Sequence, residues 1–338
     1  MRALIITHSR DNECVDMVTR ALAKRGARAY RFDTDLFPTE HKLAVHYSGT
    51  DESVVLSRDG DSVECSALAG AWHRRLNISG GLPDTMDKQI RHASVLESQR
   101  TVYGLFASLD CFMIDPMTRI RHAENKQLQL KLARAIGLDT PKTLTTNDPA
   151  AVRAFYDECN GRIVTKMLAA FAVYEEGLEK VVFTTPVPAA DLEDLEGLKY
   201  CPMTFQEQLD KAVELRITII GSRVFTAAVD SSVFERSKTD WRREGRALLE
   251  KWKPYELPKN VEAGLLKLMD ALTLNYGAID VIVTPEGRYV FLEVNPAGEF
   301  FWLEREPGFP ISEAIADVVL GLAPRREGVL TRVSASRI

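Results

Sequence analysis

The sequence predicts an α/β chain in which a small first α/β domain is followed by two lobes of interleaved strands and helices. Three observations predict it. Apolar strand-like runs alternate with amphipathic helical stretches from the first residues onward. Pro116 interrupts this pattern just after the buried-type strand "CFMID". Two long hairpins stand late in the chain, one turning at Gly221-Ser222 and the other at Pro285-Glu286-Gly287. Mixed periods of 2 and 3.6 along one chain are the pattern of sheets covered by helices.

Residues 1–117 form the first predicted domain. "ALIITHS" reads as a strand, "CVDMVTRALAKRGARAY" opens as an amphipathic helix closed by Gly26, and "RFDTD" is a second strand ending in acidic residues. "HKLAVHYSG", "SVVLSRDGDSVEC" with an Asp59-Gly60 turn, and "AGAWHRRL" add strands. A helix from about Asp84 to Leu109 precedes "CFMID".

Residues 118–200 form the second unit. "AENKQLQLKLARAIGLDTP" is a helix with Leu128, Leu130, Leu132 and Ile136 as apolar positions and Gly137 as its stop. "KTLTTND", a helix over Pro149 to Glu158, "RIVTKML" and "KVVFTTPV" alternate strand and helix, and a helix near Ala189 to Leu198 closes the lobe. Residues 201–324 hold "MTFQEQL", the hairpin "VELRITIIGSRVFTAAVDSS", the helix "VEAGLLKLMDALTL", the hairpin "GAIDVIVTPEGRYVFLEVNP" and a last helix from about Ile311 to Leu320. Residues 325–338 read as a mobile polar tail.

Bulk properties exclude several classes. The chain has 338 residues, 45% of them hydrophobic, and a net charge of -5, so disorder and a globally basic nucleic-acid binder are both excluded. Cys14, Cys65, Cys111, Cys159 and Cys201 are odd in number and scattered, with no C-x-x-C pair, which fits a reducing cytoplasm. The apolar run at the N-terminus is too short for a signal peptide, and no later run approaches the ~20 residues of a membrane span.

The chemistry is concentrated in the last hairpin. In "RYVFLEVNPAGEFFWLE", strand alternation places Glu293 and Asn295 on one face and Val294 on the other. The turn at residues 285–287 brings Asp280 nearly opposite Leu292 and Glu293, so Asp280, Glu293 and Asn295 form an all-oxygen donor set. Such a set without Cys or His suits Mg2+ shared with a nucleotide's phosphates. Neither G-x-x-x-x-G-K-[ST] nor G-x-G-x-x-G occurs, which leaves Lys126 in "ENKQ" and Lys166 in "RIVTKML" as phosphate-facing candidates, each with a solvent-snorkelling lysine as its alternative. Glu214 and Arg216 share one face of their strand, either as a structural ion pair or with Arg216 poised to hold a phosphoryl group.

In this order, Lys126, Lys166, "FQEQLDKAVELR", "GAIDVIV" and "FLEVNPAGEFFWLE" resemble the ATP-grasp ligases, over about residues 118 to 322, with the first domain similar to the pre-ATP-grasp domain. More narrowly, "WHRR", "VTKML", "CPMTFQE", "ELRITIIG", "TDWR", "PYELP" and "LEVNPAGEFFWLE" resemble the graspetide peptide macrocyclases of microviridin and plesiocin type. The resemblance implies ATP and Mg2+ as cofactors, with Lys126 and Lys166 on the nucleotide, Gln206, Glu207 and Gln208 at the hinge beside adenine and ribose, and Glu214 near it. It implies Asp280, Glu293 and Asn295 on the metal and Arg216 at the transferred phosphoryl. Arg74, with His73 and Arg75, would reach a substrate carboxylate, and Asp240, Trp241 and Arg242 would lie near the peptide. The loop after Lys166, "LAAFAVYEEG", has only Gly177 where many relatives are glycine-rich.

The implied activity is phosphorylation of a Glu or Asp side chain in a precursor peptide, leader plus core, followed by capture with a Thr, Ser or Lys side chain. The leader contact is expected around "VFTTPV" to "YCPMTFQ" or on the neighbouring helix, and the family resemblance implies a homodimer. Two alternatives stay open here. One is an ATP-grasp ligase joining free amino acids or small peptides, and the other is a non-catalytic ATP-binding interaction module.

Overall fold

The computed structural model describes residues 1–168, 172–175, 178–181, 184–230 and 249–326. The chain opens with β1 (Arg2–Thr7), α1 (Glu13–Lys24) and β2 (Arg28–Asp33). An antiparallel meander follows, β3 (Lys42–Ser48), β4 (Asp51–Arg58) and β5 (Asp61–Glu64), then β6 (Leu68–His73), α2 (Lys88–Ala107) and β7 (Met113–Ile114). The parallel sheet runs β2-β1-β6-β7, and β1 is buried along almost its whole length, as a strand covered on both faces must be. Asp59 and Gly60 take φ of 49° and 79° between Arg58 and its pair Asp61, the positive angles a two-residue hairpin loop requires.

The middle of the chain carries α3 (Met117–Ala123), α4 (Lys126–Ile136), β8 (Thr143–Thr146), α5 (Pro149–Glu158), β9 (Ile163–Lys166), β10 (Ala172–Glu175), β11 (Leu178–Val181), β12 (Thr185–Pro186) and β13 (Met203–Glu207). Its main sheet has the order β12-β9-β13-β8. The helix expected near Ala189 to Leu198 is instead two single 3-10 turns, Ala189–Leu192 and Glu196–Lys199. Asp191, Glu193, Asp194 and Glu196 repel one another at helical spacing and Gly197 weakens the segment, while within the two turns only Leu198 is buried.

The last section comprises β14 (Val213–Ile220), β15 (Arg223–Val229), β16 (Lys253–Pro254), α6 (Lys259–Leu272), β17 (Tyr276–Val283), β18 (Tyr289–Asn295), α7 (Phe301–Arg305) and α8 (Ile311–Val319). The sheet order is β16-β15-β14-β17-β18, antiparallel throughout. One face, with Leu215, Ile217, Ile219, Ile279 and Val281, buries against α4 and α6. The other face meets the first domain, because Cys14 and Val18 of α1, Trp72 of β6, Tyr276, Phe300 and Ile315 share one core. This core crosses the predicted division at Pro116. Arg25 binds Asp317 at 2.5 Å, and Arg223 approaches the same carboxylate at 2.8 Å, so α8 is tied both to α1 and to the sheet.

The polar tail is pinned at its start. Arg325 donates to the Val318 and Val319 carbonyls at the end of α8, and Arg326 donates to the Gly221 carbonyl and pairs with Asp270. The rest of the predicted tail lies outside the described residues. Among the described residues no helix is long and apolar enough to cross a membrane.

Candidate active site

The hairpin β17–β18 sets the register of the site. Asp280 pairs directly with Glu293, and Ala278 with Asn295, while a bulge follows Asp280 so that Val281 pairs with Phe291. Leu292 is the extra residue, which resolves the predicted Leu292-or-Glu293 choice in favour of Glu293. On the other side, Asp280 pairs with Arg216 of β14. Arg216, Asp280 and Glu293 therefore form a row across adjacent strands on one face of the sheet.

Cations already sit on these oxygens. Lys126 Nζ, in the first turn of α4, lies 2.7 Å from Glu293 Oε2, 3.3 Å from Asn295 Oδ1 and 3.1 Å from the Val294 carbonyl. Arg216 Nη1 donates to Asp280 Oδ1 at 2.9 Å and Nη2 to the Glu299 carbonyl at 3.2 Å. Arg216 is only 5% exposed. Burial works against its charge, but Asp280, Tyr276 and Glu293 together outweigh the burial and hold its pKa above the ordinary arginine value. Gly298 is obligatory above it, since a Cβ there would lie 2.4 Å from Ala278 Cβ and 2.7 Å from Arg216 Nη2.

A second cluster joins the first domain to the loop after β18. Arg74 Nη2 lies 2.8 Å and Arg75 Nη2 2.5 Å from the two carboxylate oxygens of Glu299, and Arg74 also donates to the Ala297 carbonyl. Asp11, whose Oδ2 accepts from Thr7 Oγ1 at 3.0 Å, lies 3.4 Å from Arg74 Nε, and Cys14 Sγ donates to Glu299 at 3.0 Å. Burial raises the Glu299 pKa, but Arg74, Cys14 and Arg75 outweigh it and hold this carboxyl below its ordinary value. Burial pushes the Cys14 thiol up to about 12, so it serves as a neutral donor.

The central lobe carries the remaining nucleotide candidates. Lys166 pairs with Thr204, and Gln206 pairs with Val164 and Thr143, so Lys166 and Gln206 share one polar face of that sheet. Gln206 Nε2 donates to Thr143 Oγ1 at 3.0 Å. Glu207 falls on the opposite face, where its carboxylate accepts from the Lys142 backbone N–H, and Gln208 lies beyond the strand with its N–H on the Arg162 carbonyl. The structure thus brings Lys166 and Gln206 together and sets Glu207 apart. Glu214 shares the face of Arg216, with Lys211 Nζ 2.8 Å from its carboxylate.

His73 is not brought to the site. It is 5% exposed and packs on Phe106, and strand alternation sends it away from Arg74. Burial lowers its pKa to about 4. Asp240, Trp241 and Arg242 lie outside the described residues. Glu299 and Asp11 carry site geometry that the sequence reading did not assign. The sequence signal for Glu299 is its place within "NPAGEFF", four residues after Asn295.

The donor set fits a magnesium ion. The Glu293 carboxylate and the Asn295 amide oxygen converge closely enough for one lysine ammonium to contact both, Asp280 stands directly opposite Glu293 on the neighbouring strand, and oxygen-only ligation with room for phosphate and water is what this cation takes. Among the described residues no group of three or more His, Cys, Asp or Glu side chains is set to hold a metal, so any ion here also needs ligands from elsewhere.

An antiparallel sheet whose charged row meets a lysine from a helix, with a first α/β domain packed on the same face and a separate small sheet carrying a second lysine, defines an ATP-grasp ligase. Residues 2–121 match the MvdD pre-ATP grasp domain. The macrocyclase MdnC from Microcystis aeruginosa MRC, solved with the precursor peptide MdnA, is 48% identical over 95% of this chain and 100% of its own, with a TM-score of 0.86. A RiPP-associated ATP-grasp ligase from Chryseobacterium gregarium, solved with ADP and a leader and core peptide, is 39% identical over 96% of this chain and 98% of its own, with a TM-score of 0.92. The macrocyclase MdnB from Microcystis aeruginosa MRC is 38% identical over 94% and 98%, with a TM-score of 0.79. No curated protein sequence matches the chain. The chain belongs to the graspetide macrocyclases, ATP-grasp ligases of ribosomally made peptides.

Proposed function

We propose that this protein closes rings in a ribosomal precursor peptide. A Glu or Asp side-chain carboxylate of the core takes the γ-phosphoryl of ATP, releasing ADP, and a Thr or Ser hydroxyl, or a Lys amine, then attacks the acyl carbon. Phosphate leaves with the acyl oxygen, and the peptide has lost one water per ring. The observation that carries this reading is the single row of Arg216, Asp280 and Glu293 across adjacent strands, in a chain 48% identical to a macrocyclase.

Asp280, Glu293 and Asn295 would hold magnesium, which when bound offsets negative charge on the phosphates. Lys166 and Lys126 orient the nucleotide, with Gln206 on its adenine side. Arg216, held between Asp280 and the Glu299 carbonyl, faces the phosphoryl group in flight, where a fixed fork stabilises developing charge without reorganising. Arg74 and Arg75, anchored on Glu299, receive the peptide's carboxylate. Closing the lobes excludes the water that would hydrolyse the acyl phosphate.

The leader is assigned to the outer side of the central lobe, from β12 to the start of β13, which is exposed and acidic at Asp191, Glu193, Asp194 and Glu196. A cytoplasmic homodimer completes the proposal. The five cysteines are all unpaired, in keeping with a reducing compartment, and light scattering would read the dimer. The direct test is intact mass of a leader-core peptide incubated with protein, ATP and magnesium. Stepwise water loss supports cyclisation, while ATP hydrolysis driven by a free amino acid, with no change in peptide mass, would move the activity to a small-molecule ligase.

A further inference from the structure

β18 lies at the edge of its sheet, and before the bulge its outer side is met by an isolated bridge, with the Phe291 N–H on the Asp139 carbonyl at 2.8 Å, while no strand runs beside it beyond the bulge. There one side chain closes the outer backbone groups, at the residue between two proposed metal ligands. Gln129, fully buried on α4, accepts the Val294 N–H through Oε1 at 2.9 Å, and its Nε2 donates to the Val294 carbonyl at 2.8 Å and to the Ala123 carbonyl at 2.6 Å. The network fixes the amide orientation, since an N–H must meet oxygen and two carbonyls must meet N–H. Gln129 imitates a one-residue neighbouring strand.

Packing gives no reason for a glutamine there. Leu132 and Ala133 of α4 already fill the apolar core beside it, and a fully buried amide is costly unless its groups are bonded. The location supplies a reason. The bulge at Leu292 interrupts the β17–β18 ladder immediately before Glu293, where pairing to β17 alone defines the chain least well. Gln129 clamps the strand on the far side of that bulge, and Lys126, three residues earlier on α4, reaches the same Val294 carbonyl as well as Glu293 and Asn295.

We propose that Gln129 is a positioning residue for the metal site: by pinning Val294 on both its N–H and its carbonyl, it aims Glu293 and Asn295 at one ion. This rests on the reading that these residues bind magnesium. Outer groups that orient metal ligands typically change metal affinity about 10–100-fold when removed.

The test is calorimetric titration of magnesium into the protein saturated with ADP, for the wild type, Gln129→Met, Gln129→Glu and Glu293→Gln. The expected result is a magnesium affinity at least tenfold weaker in all three variants, with peptide KM unchanged in the Gln129 variants. If Glu293→Gln weakens magnesium and both Gln129 variants stay within threefold of wild type, the positioning role is overturned and the metal site stands. If Glu293→Gln itself leaves magnesium affinity unchanged, the metal reading fails and the inference fails with it. Should the Gln129 variants not fold, amide exchange of the wild type without ligand decides. The Val294 N–H should exchange as slowly as those of β17, and exchange at the rate of the 285–287 turn overturns the clamp.

Discussion

Replacing Arg216 with lysine keeps a positive charge on β14 but removes the planar fork that reaches Asp280 Oδ1 at 2.9 Å and the Glu299 carbonyl at 3.2 Å together. An ammonium on a flexible stem can serve one of these partners from this backbone position and not hold both. At 5% exposure water does not replace the lost contact, so stability should fall by roughly 1.5–3 kcal/mol, the value of one hydrogen bond to a charged group. Turnover should fall further. A pre-aimed donor to developing charge is worth about 10²–10³ in kcat, so the first ring should close at about that fraction of the wild-type rate, under saturating ATP and peptide. Urea melts measure the first quantity and time-resolved intact mass the second, with ADP affinity by calorimetry as a check that the nucleotide still binds. A stability loss of the expected size with kcat within threefold of wild type would show that Arg216 only holds the sheet, and would refute its assignment to phosphoryl transfer.

Gly298→Ala should act on the same guanidinium from above. Its new methyl would stand 2.7 Å from Arg216 Nη2 and 2.4 Å from Ala278 Cβ, costing about 1–3 kcal/mol of overpacking and lowering kcat, both readable by melts and ring-closure rates. Buried His41 and His73, each brought to about pKa 4 chiefly by burial, make stability depend on pH. The unfolded chain takes up these protons near pH 6.5 and the folded chain only near 4, so the stabilisation is complete above 6.5 and is lost as pH falls through that window. At pH 5 each histidine should cost about 2 kcal/mol relative to pH 7, and His73→Gln should flatten the slope of urea-derived stability by its share.

The hairpin that gathers Asp280, Glu293 and Asn295 could be read from the sequence because strand alternation and turn length together determine which residues face each other. Asp280 nearly opposite Leu292 and Glu293, with Asn295 on the face of Glu293, follows from counting outward from the 285–287 turn. The bulge that chooses Glu293 over Leu292 leaves no mark in the local pattern, and neither does the glutamine that pins the strand beyond it. Glu299 stayed unassigned for a related reason. Its carboxylate matters through Arg74 and Arg75, about 224 residues earlier, and only folding shows that α8 and the first domain share a core. The predicted helix at 189–198 illustrates the opposite error, where leucines at helical spacing were outweighed by repelling carboxylates and Gly197. The family resemblance implies Gln206, Glu207 and Gln208 at the hinge, and strand alternation puts Gln206 on the face of Lys166 and Glu207 on the other.

The central claim is that one metal-bearing row on β14, β17 and β18 drives ring closure in a peptide. Its most direct test is the intact mass of a Thr- and Glu-rich leader-core peptide after incubation with ATP, magnesium and either the wild type or the Asp280→Ala, Glu293→Ala double variant. Loss of one water mass per ring with the wild type alone, reversed by mild base where the bond is an ester, is the predicted result. Equal water loss with the double variant, or none with the wild type across several such peptides, would contradict the account.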